Sequence, residues 1–341
     1  MSTKNINITV TDQVGKDSVI LGNAEAPAIN AIAVGASPLA SKSISEAAIA
    51  IGQNQLAGRK EDENKVDKVI WPIAIGADSV SNGTASITLG QKVLASGSQA
   101  VAISQNASAT GNSSVALGAD SVSSGSAAVA LGQKAIARGN QAIAISQNSS
   151  ATGSASVALG EGSVSSGTSS IAVGQKVSVS GSQAIVIGQN SSVTGSRSII
   201  LGSDSKSASS SSIAVGQKVN VSASQGIAIG QNASVTASGS IALGANSVAS
   251  KSNVVSVGKP GNQRKIVNVA AGDISRNSAE AVNGQQLYAE LARMSALDIK
   301  NKQLEMDIKK LKSTIDNLTR SITNLTLLCQ KNADEVALLK K

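Results

Sequence analysis

An apolar, small, apolar triplet closed by a small residue recurs along most of this chain. Examples are Val115-Ala116-Leu117-Gly118, Val129-Ala130-Leu131-Gly132, Val157-Ala158-Leu159-Gly160 and Ile241-Ala242-Leu243-Gly244. From Gly76 to Gly258 the closing position returns at every fourteenth residue, and it is glycine except at Ser104 and Ser146. Apolar alternation of period two predicts a strand. On that pattern the first and third residues should share the buried face, with the small middle residue turned to the other face, where a second backbone can approach. A second glycine follows each closing position by seven residues, from Gly83 to Gly195. Glycine accepts the positive φ of tight turns, so each repeat should make two short strands and two turns, one coil of a parallel β-solenoid. Beyond Gly195 the second mark becomes Ser209, Ala223 and Ala237, which asks for a turn that also closes with negative φ. Thirteen regular intervals at ~4.8 Å per rung give a rod roughly 60 Å long.

Upstream the same triplet ends at Gly22, Gly35, Gly52 and Gly76, so the spacing is uneven and widest in the last interval. That interval holds the charged run Arg59 to Lys65 and Trp71-Pro72, and reads as a loop inserted into one coil at about 58–72. A longer period of three coils overlies the repeat. Gln91-Lys92 returns as Gln133-Lys134, Gln175-Lys176 and Gln217-Lys218; Gln105-Asn106 returns as Gln147-Asn148, Gln189-Asn190 and Gln231-Asn232. Lysine should therefore mark every third coil as a dilute positive stripe on a polar ladder.

Near the C-terminus the period changes from 2 to 3.5. Ile308, Ile315 and Ile322 fall at heptad position a, and Leu304, Leu311, Leu318 and Leu325 at d. Cys329, Val336 and Leu339 continue the seam, with Asn301 at a and Asn332 at d. A sustained heptad predicts a coiled coil, and Ile at a with Leu at d leans toward two parallel strands. Association also suits the solenoid, because so short a coil encloses too little volume to offset backbone ordering alone.

Composition narrows the function. There is no His, no Phe, one Trp and one Tyr, so the commonest acid/base group near neutral pH and the commonest metal ligand are both missing. An enzyme is not expected, nor a cofactor or metal. Asp78, Asp120, Glu161 and Asp204 lie too far apart along the rod to act as paired glycosidase carboxylates. The single cysteine, Cys329, can form no intrachain disulfide and should be a small buried apolar residue of the seam. A net charge of +8 spread along a fibre gives a weak positive field, not a nucleic-acid groove.

Between repeat and heptads stands Arg264-Lys-Ile-Val-Asn268-Val-Ala-Ala-Gly272-Asp273, followed by Ala281-Val-Asn283-Gly-Gln-Gln286-Leu287. This closely resembles the neck of YadA-type trimeric autotransporter adhesins, and the repeats resemble the head of the same family. The resemblance implies a mainly β fold, a left-handed parallel β-roll solenoid that is trimeric, then a neck and a parallel α-helical coiled coil. Head, neck and stalk would occupy 1–253, 254–286 and 287–341. It also implies three chains in spite of the dimer-like seam, and structural neck roles for Arg264 and Asp273, as a charge pair between chains, and for Asn283, Gln286 and Leu287 at the helix entry.

The implied function is adhesion to host matrix, host cells or other bacteria at the surface of a Gram-negative cell. The partners would be a homotrimer and a matrix protein such as collagen, or a host-cell receptor. The family's signal segment and membrane barrel are not seen, so membrane contact is expected only through an anchor outside this chain; the alternative is a tail fibre or receptor-binding protein of a phage or tailocin. Family collagen recognition has been linked to Asn-Ser-Val-Ala-Ile-Gly-x-x-Ser elements. The nearest matches, 113–121, 155–163 and 239–247, all lack the leading Asn; the first two nominate Ser114, Ser121, Ser156 and Ser163 as ligand-binding candidates. Trp71 is a further candidate, as an aromatic anchor or as a cap on the apolar end of a coil.

Overall fold

The computed structural model describes residues 8–10, 19–22, 24–26, 30–35, 42–58 and 70–339. Two compact units result, Met1–Arg264 and Lys265–Lys341.

The first unit is a solenoid of two sheets, of 18 and 15 strands. In the larger sheet each triplet lies parallel to its counterpart in the next coil, as in Val101↔Val115, Ala102↔Ala116 and Ile103↔Leu117. In the smaller sheet two-residue strands such as Val122–Ser123 and Ile136–Ala137 stack the same way. The irregular intervals keep the register: Val19 pairs Ile32, Ile32 pairs Ile49, and Ile49 pairs Ile73. The widest interval, from Ile49 to Ile73, therefore adds no rung to this sheet. Its charged part, residues 59–69, lies outside the described residues. Ile8–Val10 runs antiparallel against Val19–Leu21.

The expected facing of the triplet is reversed. Ala102, Ala116, Ala130, Ala144 and Ala158 are fully buried, whereas Leu89, Leu131, Leu159, Leu201 and Leu243 are 41–45% exposed. The small residue points into the lumen because two sheets joined by tight turns leave no room there for large side chains. In one coil the inward set is Ala116, Ser121, Ser123, Gly125 and Ala128. Volume is balanced within a coil. Ile200, the largest fully buried side chain, shares its coil with the inward serines Ser205, Ser207 and Ser212, and volume-conserving exchange is what close packing tolerates. Inward hydroxyls pair across the lumen, Ser81 with Ser86 at 2.7 Å and Ser165 with Ser170 at 2.6 Å, which offsets their desolvation.

The second glycine row also works differently from expectation. None of Gly83, Gly97, Gly111 or Gly125 has positive φ. A Cβ there would instead lie 2.0–2.1 Å from the carbonyl oxygen of the next glycine along the row, so close backbone approach favours glycine at these four, although the same row takes Ser209, Ala223 and Ala237 further along. Positive φ falls two residues later, on Ala85, Gln99, Ser113 and Ala127. The turns at Ser209, Ala223 and Ala237 close without positive φ at those residues, as their side chains require.

The second unit contains one helix, Gly284–Leu339, of 56 residues, ~84 Å long at 1.5 Å per residue. Asn283 caps it: its Oδ1 accepts the Gln286 N–H at 3.1 Å and its N–H donates to Gln286 Oε1 at 3.2 Å, a reciprocal capping box. No residue of the helix is buried, and Leu304, Ile308, Leu311, Ile315 and Leu318 are 50–61% exposed. Cys329, expected to be buried in the seam, is exposed as well in the single chain, because no second helix covers it there. Among the described residues no helix is long and apolar enough to cross a membrane.

Candidate functional site

The solenoid repeats its side chains in rows, so a site here is a row, not a pocket. The first turn of each coil carries a residue of left-handed backbone: Asp78, Lys92, Asn106, Asp120, Lys134 and Asn148 on successive rungs, with φ of 53–57°. Rung stacking is direct, since the Asn106 N–H donates to the Gln91 carbonyl and the Asp120 N–H to that of Gln105. Lysine is thus one rung from a carboxylate throughout: Lys92 from Asp78, Lys134 from Asp120, Lys218 from Asp204, and Lys176 from Glu161 beside Gly162. The row expected to be a dilute positive stripe is instead balanced, and alternating sign avoids like charges on adjacent rungs.

Amides link the rungs further. Asn106 Nδ2 donates to Asp120 at 3.0 Å, Asn54 Nδ2 to Asp78 at 2.9 Å, and Gln189 Nε2 to Gln175 at 2.8 Å. The acidic member of each three-coil unit was visible in the sequence as Asp78, Asp120, Glu161 and Asp204, but only stacking shows it as the neighbour of lysine.

The nominated serines do not belong to this surface. Ser114, Ser121, Ser156 and Ser163 are fully buried and point into the lumen. They recur with the three-coil period, as Ser198, Ser205, Ser240 and Ser247, because they are its inward polar members. Ser163 donates to the Gly160 carbonyl at 2.8 Å, while the hydroxyls of Ser114, Ser121 and Ser156 have no partner. None of the four offers its hydroxyl to a ligand from the folded coil. Trp71 is 59% exposed with φ of 59°; it occupies the second-turn slot held elsewhere by Ala85 and Gln99.

The polar neck residues are all engaged within the chain. Arg264 donates to Ser247 Oγ at 3.0 Å and to the carbonyls of Val257 and Ala245 at 2.6 and 2.5 Å, which ties down the last coil of the solenoid. Asp273 accepts from Ser275 Oγ at 2.8 Å. Asn283 also donates through Nδ2 to the Val269 carbonyl at 3.2 Å, and Leu287 is 58% exposed.

A third feature, missed in the sequence, is the outward aliphatic ribbon of the larger sheet. Each rung adds two large apolar side chains, such as Val129 and Leu131, which face outward and stay partly exposed, Leu131 at 42%. Composition held the signal: inward positions are mostly Ala and Ser, with Val and one Ile admitted where the rest of the coil is small, so most of the large residues had to face out.

Five segments, 95–121, 123–145, 151–176, 180–199 and 222–258, match the YadA head domain repeat. Solved structures are similar as well, two of them YadA-like. One is the C-terminal YadA-like domain of a Burkholderia pseudomallei protein, 34% identical over 25% of this chain and 51% of that one, with a TM-score of 0.25. This chain therefore spans about half the length of that domain. The other is the collagen-binding domain of the Yersinia adhesin YadA, 27% identical over 46% of this chain and 85% of that one, with a TM-score of 0.34. No curated protein matches.

Proposed function

We propose, from a solenoid built of YadA head repeats, that this chain is the head, neck and first part of the stalk of a bacterial surface adhesin acting as a homotrimer. The outward aliphatic ribbon carries the reading of assembly. Fully burying a Leu or Ile is worth about 1.5–3 kcal/mol relative to leaving it exposed, and the ribbon repeats that opportunity on every rung. The heptad seam of Gly284–Leu339 asks for partner helices in the same way. Three copies satisfy both when the ribbons face one another and the seams close together, with the head at 1–253, the neck at 254–286 and the stalk from 287.

Adhesion follows from the rows left on the outside. Identical polar groups return every three rungs, so a fibrous partner meets many equivalent weak contacts, and three chains multiply them into avidity. A matrix protein such as collagen, itself fibrous and repetitive, is the partner class this surface suits. The test is binding of the purified full chain to immobilised native collagen and to intact host cells, together with immunogold labelling of the bacteria that make it. Saturable binding and label at the envelope support the reading. Absence of both, or label confined to phage particles, overturns it.

A further inference from the structure

One row of the solenoid carries a triplet that recurs every three coils. Asn-x-Ser, the acceptor triplet for N-linked glycosylation, stands at Asn106-Ala107-Ser108, Asn148-Ser149-Ser150, Asn190-Ser191-Ser192 and Asn232-Ala233-Ser234, each three coils on from the last. We propose that these four asparagines are N-glycosylated.

Geometry separates them from the other triplets of this type. In all four the asparagine is exposed, the middle residue points into the lumen, and the serine faces out again at the start of a strand. Amide and hydroxyl therefore share one open surface. Among the described residues, Ser108, Ser150, Ser192 and Ser234 find no partner for their side chains, so each hydroxyl is free for recognition.

Elsewhere this fails. In Asn112-Ser113-Ser114 the final serine is fully buried, and Asn82 has its own Oδ1 buried. At Asn220 the Ser222 hydroxyl already donates to the Val235 carbonyl at 3.4 Å. On the helix, Thr319 and Thr326 donate back to Ile315 and Ile322. Asn7 lies outside the described residues.

Spacing supports the row. A sugar ring is wider than one rung, so acceptors on adjacent rungs would collide; three rungs leave about 14 Å between neighbours. Asn148 is the most open of the four. The next rung on its turn is Gly162, the only position from Asp78 to Asn246 of that row without a side chain, and even a Cβ there would meet only Lys176 Cγ, at 3.8 Å. Asn106, Asn190 and Asn232 instead hold their amides toward Asp120, Asp204 and Asn246 at 3.0–3.4 Å.

The donor is a glycosyl diphosphate supplied to a glycosyltransferase. Asparagine Nδ2 attacks the anomeric carbon, the bond from that carbon to the diphosphate oxygen breaks, the diphosphate leaves with the electron pair, and the amide proton passes to a base of the transferase. A single hexose on each site points to a nucleotide-linked donor, and one preassembled oligosaccharide to a lipid-linked donor.

Peptide mass spectrometry of the full chain from its own cells tests this, with fragmentation that keeps glycans attached. The expected result is hexose-containing mass at Asn148 first and at the other three in part, with Asn82, Asn112, Asn317 and Asn324 bare. In a Ser150→Ala chain the modification of Asn148 should fall at least tenfold while that of Asn190 stays, and Ser150→Thr should restore it. Full coverage with all four asparagines unmodified, or sugar at Asn148 that persists in Ser150→Ala, overturns the proposal. Since each variant is read at its neighbouring sites too, a misfolded chain shows itself by changing them all.

Discussion

Gln286 grips Gly272 from both sides of its peptide: Nε2 donates to the Gly272 carbonyl at 2.6 Å, and Oε1 accepts the Gly272 N–H at 3.0 Å. The same Oε1 caps Asn283. One side chain thus starts the helix and pins the segment that precedes it. Gln286→Ala should cost about 1–2 kcal/mol of local stability, the scale of a lost helix cap. Hydrogen exchange at the Gly272 amide should quicken correspondingly, by roughly tenfold or more. Gln286→Glu keeps the acceptor and loses the donor, so it should protect that amide nearly as well as the parent.

Ser104 and Ser146 hold φ of 103° and 106° at positions where nearly every other rung has glycine. An L side chain there costs of order 1–3 kcal/mol, only partly offset by the greater unfolded-state freedom of glycine. Ser104→Gly and Ser146→Gly should each stabilise the head by about 1 kcal/mol, measured by denaturant unfolding of the full chain. Destabilisation by either would show that the serine makes a compensating contact.

The two glycine types should separate cleanly. Gly125→Ala places a Cβ 2.0 Å from the Gly139 carbonyl oxygen; the rungs must shift locally, which the row tolerates at Ala223 and Ala237, so a loss of about 2–3 kcal/mol is expected. Gly162→Ala enters open space at φ of 63° and should cost only about 1 kcal/mol. Ala127 and Ala155 already stand in comparable backbone, at φ of 53° and 52°. Thermal unfolding of the two variants side by side decides it.

Much of this was legible beforehand. The regular repeat interval set the rung register, and it held across the uneven spacings that end at Gly35, Gly52 and Gly76, because strand pairing requires only that equivalent residues meet. The helix entry at Asn283 and Gln286 was legible as a motif. The facing of Ala116 against Leu117 was not, because a period of two says which residues share a face and not which face is inside. Lumen width decides that, and it follows from two turns closing within a single repeat. The burial of Ser114 and Ser121 has the same origin, because both belong to the inward set of their coil.

Two outward leucines probe the ribbon. Leu131→Lys with Leu159→Lys changes no lumen residue, so the solenoid rungs should persist by circular dichroism. Charges placed two rungs apart at a buried three-chain contact should weaken assembly strongly, since an unpaired buried charge costs several kcal/mol. A variant that assembles like the parent would place the contact elsewhere.

The most direct test is the mass of the full chain in solution by sedimentation equilibrium. Burial of the aliphatic ribbon and the heptad seam among three copies predicts three times the 33.8 kDa of the chain, unchanged on dilution through the micromolar range. A stable monomer would contradict the account, because the ribbon of Leu131, Leu159 and Leu243 would then be left in water; so would a stable dimer.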